Sequence, residues 1–362
     1  ATLGFSTATS YSALIALALQ GEGYDLITTG ELIGVLALTV LASTLLSGYV
    51  TAKFGAVRAS QLAMVCACVG VGSMAFTRDI FWAALVSRLV WGFGVGLLLG
   101  PMNLYMQSRL TPKRFVYLVT AFSTMIPLSL AIGPPIGDFL LRNFGATTLF
   151  LAGALPALAG ILLTLGLRPL PPPPATPGLG LASAWRRWHF WPVLTLIIGG
   201  SQFGFMARYI GPSIEGKGMS LAWFFIPATI AMLLCRIVAM RKLAAVHPRH
   251  LAASGLAGCS IALVAMAYTQ GPVLLSISGV FLGLGNSMMY PVASAWLGRF
   301  ASKADGGAVQ AIVATAFYVG IYWAPYPETF LIARWDYSGA ALVMAAIGVL
   351  GASALWASRA DG

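Results

Sequence analysis

Short polar links cut this chain into a succession of apolar runs, each long enough to cross a bilayer, and that succession leaves few folds open. A helix needs about 20 apolar residues to span the hydrocarbon core. Windows of that length fall at 2–20, 28–51, 59–77, 80–107, 115–141 and 146–167, then at 190–213, 220–240, 251–269, 272–297, 307–333 and 338–357. In lipid each backbone polar group must be satisfied within the protein, so runs of this length spell helices. The expected fold is an all-α polytopic membrane protein with 12 transmembrane helices in two pseudo-symmetric six-helix halves. The halves are read as 1–167 and 189–362, joined by a Pro-rich cytoplasmic linker at 168–188. The linker opens Arg168-Pro169-Leu170-Pro171-Pro172-Pro173-Pro174, a run that cannot be helical and forms a stiff solvated connector.

Charge then sets orientation. Only 9% of residues are charged, against about 25% in soluble domains. The links after even-numbered runs carry Lys53, Arg58, Arg109, Lys113, Arg114 and Arg241, whereas the opposite links carry Glu22, Asp25, Asp79, Glu215 and Asp336. By the positive-inside rule both termini are cytoplasmic, in a plasma membrane (the inner membrane of a bacterium). The formal charge of +11 is therefore a topology signal and calls for no nucleic-acid partner. Ala1 is followed directly by the first run with no basic segment, which reads as a trimmed native start rather than a signal peptide. Cys66, Cys68, Cys235 and Cys259 all lie in apolar runs, and no disulfide is expected.

Three stretches stand out. Gly133-Pro134-Pro135-Ile136-Gly137-Asp138 combines a proline break, a small-xxx-small face and an acid. Ser87-Arg88-Leu89-Val90-Trp91-Gly92-Phe93-Gly94 aligns without gaps to Ser278-Gly279-Val280-Phe281-Leu282-Gly283-Leu284-Gly285, and the same offset places Pro134 on Pro325. Matching broken helices in two halves point to a transporter site. The third is Gly48-Tyr49-Val50-Thr51-Ala52-Lys53-Phe54-Gly55-Ala56-Val57-Arg58, a basic link between the second and third runs.

These residues resemble the major facilitator superfamily. The Gly133–Gly137 stretch is similar to the antiporter motif of the family's drug–proton exporters, with Gly133, Pro134, Pro135 and Gly137 as its hinge. Arg88 through Gly92 resembles the RxxxG motif, whose arginine the family uses in proton coupling. The Gly48–Arg58 link resembles the family's cytoplasmic gate loop through Gly48, Lys53, Gly55 and Arg58, with Ala52 where the motif has an acid. The resemblance implies alternating access by rocking of two halves around a central cavity.

Charged and polar residues inside apolar runs are expensive and are functional candidates by default. Arg88 lies about nine residues into its run; Arg208 lies about eighteen into its own, toward the outer end, where it either snorkels to the interface or acts as a cavity cation that recognises a carboxylate on the substrate. The acids within or beside runs are Glu31, Asp138 and Glu328, all toward the outer side. Glu31 is the expected proton carrier on position, and Asp138 also pairs naturally with Arg142 one turn on. The expected coupling set is Arg88, Glu31 and Asp138. The expected cavity set is Arg208, Asn286, Tyr318, Trp91 and Glu328.

Met102 with Met106, and Cys66 with Cys68, read as core residues rather than metal ligands. His189, His247 and His250 fall in links, so neither a metal site nor a nucleophile–base pair is built inside the membrane. The chain thus reads as a transporter and not an enzyme, with no cofactor, and with a small-molecule substrate, protons and the lipid bilayer as its partners, as a monomer. The function expected is proton-coupled export of a small amphipathic or anionic organic compound. The alternative is uptake or facilitated diffusion of a nutrient or metal-chelate.

Overall fold

Glycines decide where these helices touch and where they turn. The computed structural model describes residues 14–109, 112–168, 190–239, 246–298 and 306–358, and within these the chain is helical apart from short links. The chain divides into two compact units, Ala1–Pro177 and Gly178–Gly362. The first contains α1 (Ile15–Gly21), α2 (Leu26–Gly34), α3 (Leu36–Phe54), α4 (Ala56–Thr77), α5 (Phe81–Arg109) and α6 (Pro112–Leu165). The second contains α7 (Phe190–Ile214), α8 (Ala222–Leu234), a π-turn at Cys235–Ala239, α9 (Pro248–Ala267), α10 (Pro272–Gly298), α11 (Gly306–Trp323) and α12 (Pro325–Ala357). Among the described residues, eight helical stretches are long and apolar enough to cross a membrane, and Ala222–Val238 is apolar but shorter.

The links are tighter than the sequence suggests. The fifth and sixth expected runs are the two limbs of α6, which reverses at Gly145 with φ 81° and ψ 175°. The eleventh run is α11 with the first limb of α12, and the twelfth is the second limb, after a turn at Trp335 and Asp336. Most of the first run, and the linker beyond Arg168, lie outside the described residues.

Two expectations need correction. The Gly48–Arg58 gate loop is largely helix: Gly48 and Lys53 belong to α3, Arg58 to α4, and Gly55 alone makes the turn. Its φ of 80° is a conformation that suits glycine, and its amide closes on the Thr51 carbonyl at 2.9 Å. Nor is the helix broken at Pro134 and Pro135; α6 stays helical through both. In hydrocarbon the freed carbonyls have no water to turn to, so the helix accommodates the rings rather than opening. At Pro325 the helix is interrupted for one residue, Ala324, between α11 and α12, with the backbone dihedrals of Ala324 staying helical (φ −56°, ψ −28°).

The two units repeat in their packing. A Cβ on Gly94 would lie 2.5 Å from the Ala63 carbonyl oxygen, so α5 presses directly on α4; its counterpart Gly285 would meet the Gly255 carbonyl at 2.6 Å, pressing α10 on α9. Gly92 abuts Leu36 and Thr39 of α3 just as Gly283 abuts Ala228 of α8. The same offset carries Gly145 onto Asp336, which adopts nearly the same backbone (φ 59°, ψ −175°) although that region is almost reserved for glycine. Asp336 Oδ1 accepts from the Gly339 amide at 2.8 Å, capping the limb that follows.

Gly94→Val and Gly285→Val are each expected to lower stability by about 1–3 kcal/mol through overpacking. Gly48→Ala, in open space inside α3, is expected to keep it or raise it by up to about 1 kcal/mol. Thermal unfolding of the purified variants in one detergent checks this, and equal melting of all three would refute the packing assignment.

Candidate functional site

A helix ends with carbonyls that have no donor, and in a membrane those carbonyls must find one. Each unit solves this at a helix break with a buried arginine. In the first unit, α2 ends at Gly34 and α3 begins at Leu36. Arg88, 2% exposed on α5, donates from Nε to the Leu32 carbonyl at 3.0 Å and from Nη2 to the Ile33 carbonyl at 3.1 Å. Its Cζ sits 4.7 Å from the centre of the Trp91 ring, a cation–π contact that helps offset desolvation. Arg88 therefore caps a half-helix.

In the second unit, Arg208 on α7 donates from Nη1 to the Ile321 carbonyl in the last turn of α11. Its Nη2 lies 2.7 Å from Glu328 Oε2, in the first turn of α12. Arg208 is 5% exposed and Glu328 is fully buried. Beside the pair, Tyr209 shares a hydrogen bond with Thr329 at 3.2 Å, and Thr329 donates to the Pro325 carbonyl at 2.7 Å. Glu328 Oε1 and Arg208 Nε find no hydrogen-bond partner among the described residues. The pair thus keeps one open acceptor, Glu328 Oε1, and one open donor, Arg208 Nε, both sealed from solvent. Arg208 does not snorkel to the interface, because a carbonyl and a carboxylate satisfy it inside the protein.

The other expected residues are spread. Glu31 lies on the exposed side of α2. Asp138 is buried and bonded to Arg142 Nε at 2.7 Å, while half of the Arg142 side chain is exposed. Asn286 is buried on α10 with Oδ1 unpartnered among the described residues. Tyr318 is half-buried against Tyr322, ring centres 5.7 Å apart. Gly133, Pro134 and Gly137 are buried on α6. Among the described residues no cluster of three or more His, Cys, Asp or Glu side chains is arranged to hold a metal.

The pairing of Arg208 with Glu328 is the feature that sequence reading missed. Both residues lie toward the expected outer end of their runs, with opposite charge, and that shared depth is the available signal.

Apolar helices in repeated units, with buried arginines bonded to a carboxylate and to helix ends, make up a polytopic membrane protein. The family model of the Major Facilitator Superfamily matches residues 1–275, and the chain belongs to that superfamily. Sugar transport protein 12 of Arabidopsis thaliana is 28% identical over 139 residues, which are 38% of this chain and 27% of that protein's length. Among solved structures, the nucleoside transporter NupG is 15% identical, with 98% of this chain and 96% of NupG covered and a TM-score of 0.79. The inward open xylose transporter XylE from E. coli is 16% identical, with coverage of 98% and 94% and a TM-score of 0.77. A POT family transporter in complex with 5-aminolevulinic acid is 13% identical, with coverage of 98% and 94% and a TM-score of 0.79. These likenesses establish the fold: all-α, in two pseudo-symmetric halves.

Removing one member of a buried ion pair leaves the other uncompensated, so Arg208→Ala is expected to destabilise the protein by about 3–5 kcal/mol. The double variant Arg208→Met with Glu328→Leu recovers most of that loss, whereas Arg142→Ala, at a half-exposed pair, costs less than about 1 kcal/mol. Chemical or thermal unfolding of the purified proteins measures all three.

Proposed function

We propose that this protein is a secondary active transporter working by alternating access, which couples the movement of a small organic solute to protons at Glu328, with Arg208 as its ionic partner. The observation that carries this reading is a carboxylate buried completely within a candidate membrane span and bonded through one oxygen only. A buried acid beside an exchangeable partner is the ordinary equipment of a proton relay. Glu31, exposed on α2, and Asp138, bonded to Arg142, are weaker carriers on geometry. Arg88 is assigned to holding the α2 end rather than to carrying charge.

For direction, the Gly133–Gly137 resemblance supports export of a small amphipathic or anionic compound in exchange for protons. Uptake is the second reading. Glu328 cancels the charge of Arg208, so the pair attracts an anion only once a proton is bound, and one similar solved structure is a D-xylose-proton symporter. The bodies that rock are proposed to be 1–167 and 189–362, with both termini cytoplasmic, in a bacterial inner membrane and as a monomer.

Purified protein in liposomes under an imposed pH gradient, challenged with sugars, nucleosides and organic anions and cations, tests the reading. Wild type is expected to collapse the gradient in the presence of its solute, Glu328→Gln to lose that flux, and Glu31→Gln to keep it. Wild-type proton flux in Glu328→Gln would overturn the assignment. Solute and proton moving in the same direction would replace export by uptake.

A further inference from the structure

We propose that Gly204 is a positioning residue: by presenting no side chain on its face of α7, it seats the Arg208 guanidinium across the break between α11 and α12, so that the charge state of Glu328 decides whether the two helices are held together. The inference rests on the reading of Glu328 as the proton site.

α11 ends at Trp323 and α12 begins at Pro325, which has no N–H to return to α11. One guanidinium joins the two sides, through the Ile321 carbonyl and the Glu328 carboxylate. A planar fork satisfies two acceptors in fixed directions at once, which a single ammonium does not. The charges also suit the helix ends, with the cation at the C-terminus of α11 and the anion in the first turn of α12.

Gly204 lies one turn before Arg208. A Cβ there would fall 2.8 Å and 2.9 Å from the two terminal nitrogens of Arg208 and 3.0 Å from the Ile321 oxygen. The backbone of α11 is fixed close by, since a Cβ on Gly200 would meet the Phe317 carbonyl at 2.6 Å. The guanidinium is the part that yields, so a methyl group at position 204 moves it off its acceptors without removing a charge. The titratable groups around Glu328 are Arg208 and, through Thr329, Tyr209 on α7, with Tyr337 of α12 ring-to-ring 6.2 Å from Tyr209. From α11 comes the Ile321 carbonyl, which does not titrate. A proton on Glu328 removes the ionic half of the clamp and leaves the carbonyl half.

Hydrogen exchange of backbone amides in residues 321–330, on the full chain in lipid nanodiscs at acidic and alkaline pH, tests this. After correction for intrinsic rates, wild-type exchange at the break is expected to be roughly tenfold or more faster on the acidic side, the effect of one charge-assisted hydrogen bond. Gly204→Ala is expected to exchange fast on both sides, losing the pH step although no titratable group has changed, and adding Glu328→Gln to it should give no further increase. A Gly204→Ala protein that keeps the wild-type step, whether or not its rates rise uniformly, overturns the positioning role. If Gly204→Ala does not fold, Arg208→Lys serves in its place: loss of the step supports the clamp and retention overturns it. A wild type with no pH step overturns the clamp outright. A pH step in wild type together with full proton flux in Glu328→Gln would instead remove the proton-site reading and leave the clamp standing.

Discussion

In hydrocarbon, a carbonyl without a donor and a guanidinium without an acceptor are each costly, and this chain sets the two against one another. Arg88 and Arg208 enter the membrane because helix ends need donors there, and the helix ends are tolerated because the arginines supply them. Contrast the prolines. At Pro134 and Pro135 no break opens and α6 continues, whereas at Pro325 the break is accompanied by a donor to Ile321 and an acid in the new first turn. Proline weakens a helix in both places; a helix end forms where side chains can finish it.

The glycine contacts give the frame in which those arginines sit. Gly92 with Gly94, and Gly283 with Gly285, bring α5 and α10 onto the backbones of their neighbours in the same way in each unit. The charges do not follow that repeat. The offset that aligns the glycines puts Gly279 opposite Arg88, Leu17 opposite Arg208 and Gly137 opposite Glu328. Gly279 packs against the Phe224 carbonyl and leaves no room for a side chain. Each half therefore carries one arginine that the other lacks, and the second half sets its own against the Glu328 carboxylate. Shared architecture with unshared charge is how a repeat acquires a division of labour.

Much of this was legible in the sequence because membrane helices are constrained by length and apolarity more than by detail. The runs, the link at 142–145 and the repeat through Gly92 and Gly94 all follow from those rules. What was not legible depended on facing. Nearly all positions in a run are apolar, so no periodicity tells which side Arg208 presents, and the Glu328 partner lies 120 residues away. The turn at Gly55 was hidden for a related reason: basic residues mark the cytoplasmic side but not where the helix stops, and Lys53 and Arg58 sit on helices rather than between them.

On the proposed reading, the ion pair also constrains which solutes can be coupled, and in which sense. With Glu328 ionised the pair is neutral; with a proton bound it carries the charge of Arg208. At a separation of about 6 Å and an effective dielectric near 20, a unit charge on a solute feels that difference as roughly 3 kcal/mol. An anion then binds better with the proton and a cation better without it, and by reciprocity the solute shifts proton affinity in the same sense. Proton and anion travelling together is symport, and proton displaced by a cation is antiport. Export by exchange therefore suits an amphipathic compound that is cationic at this pair, whereas an anionic one, which the Gly133–Gly137 resemblance also allows for export, fits uptake instead. The electrostatics of a single buried carboxylate ties the direction of transport to the charge of the solute.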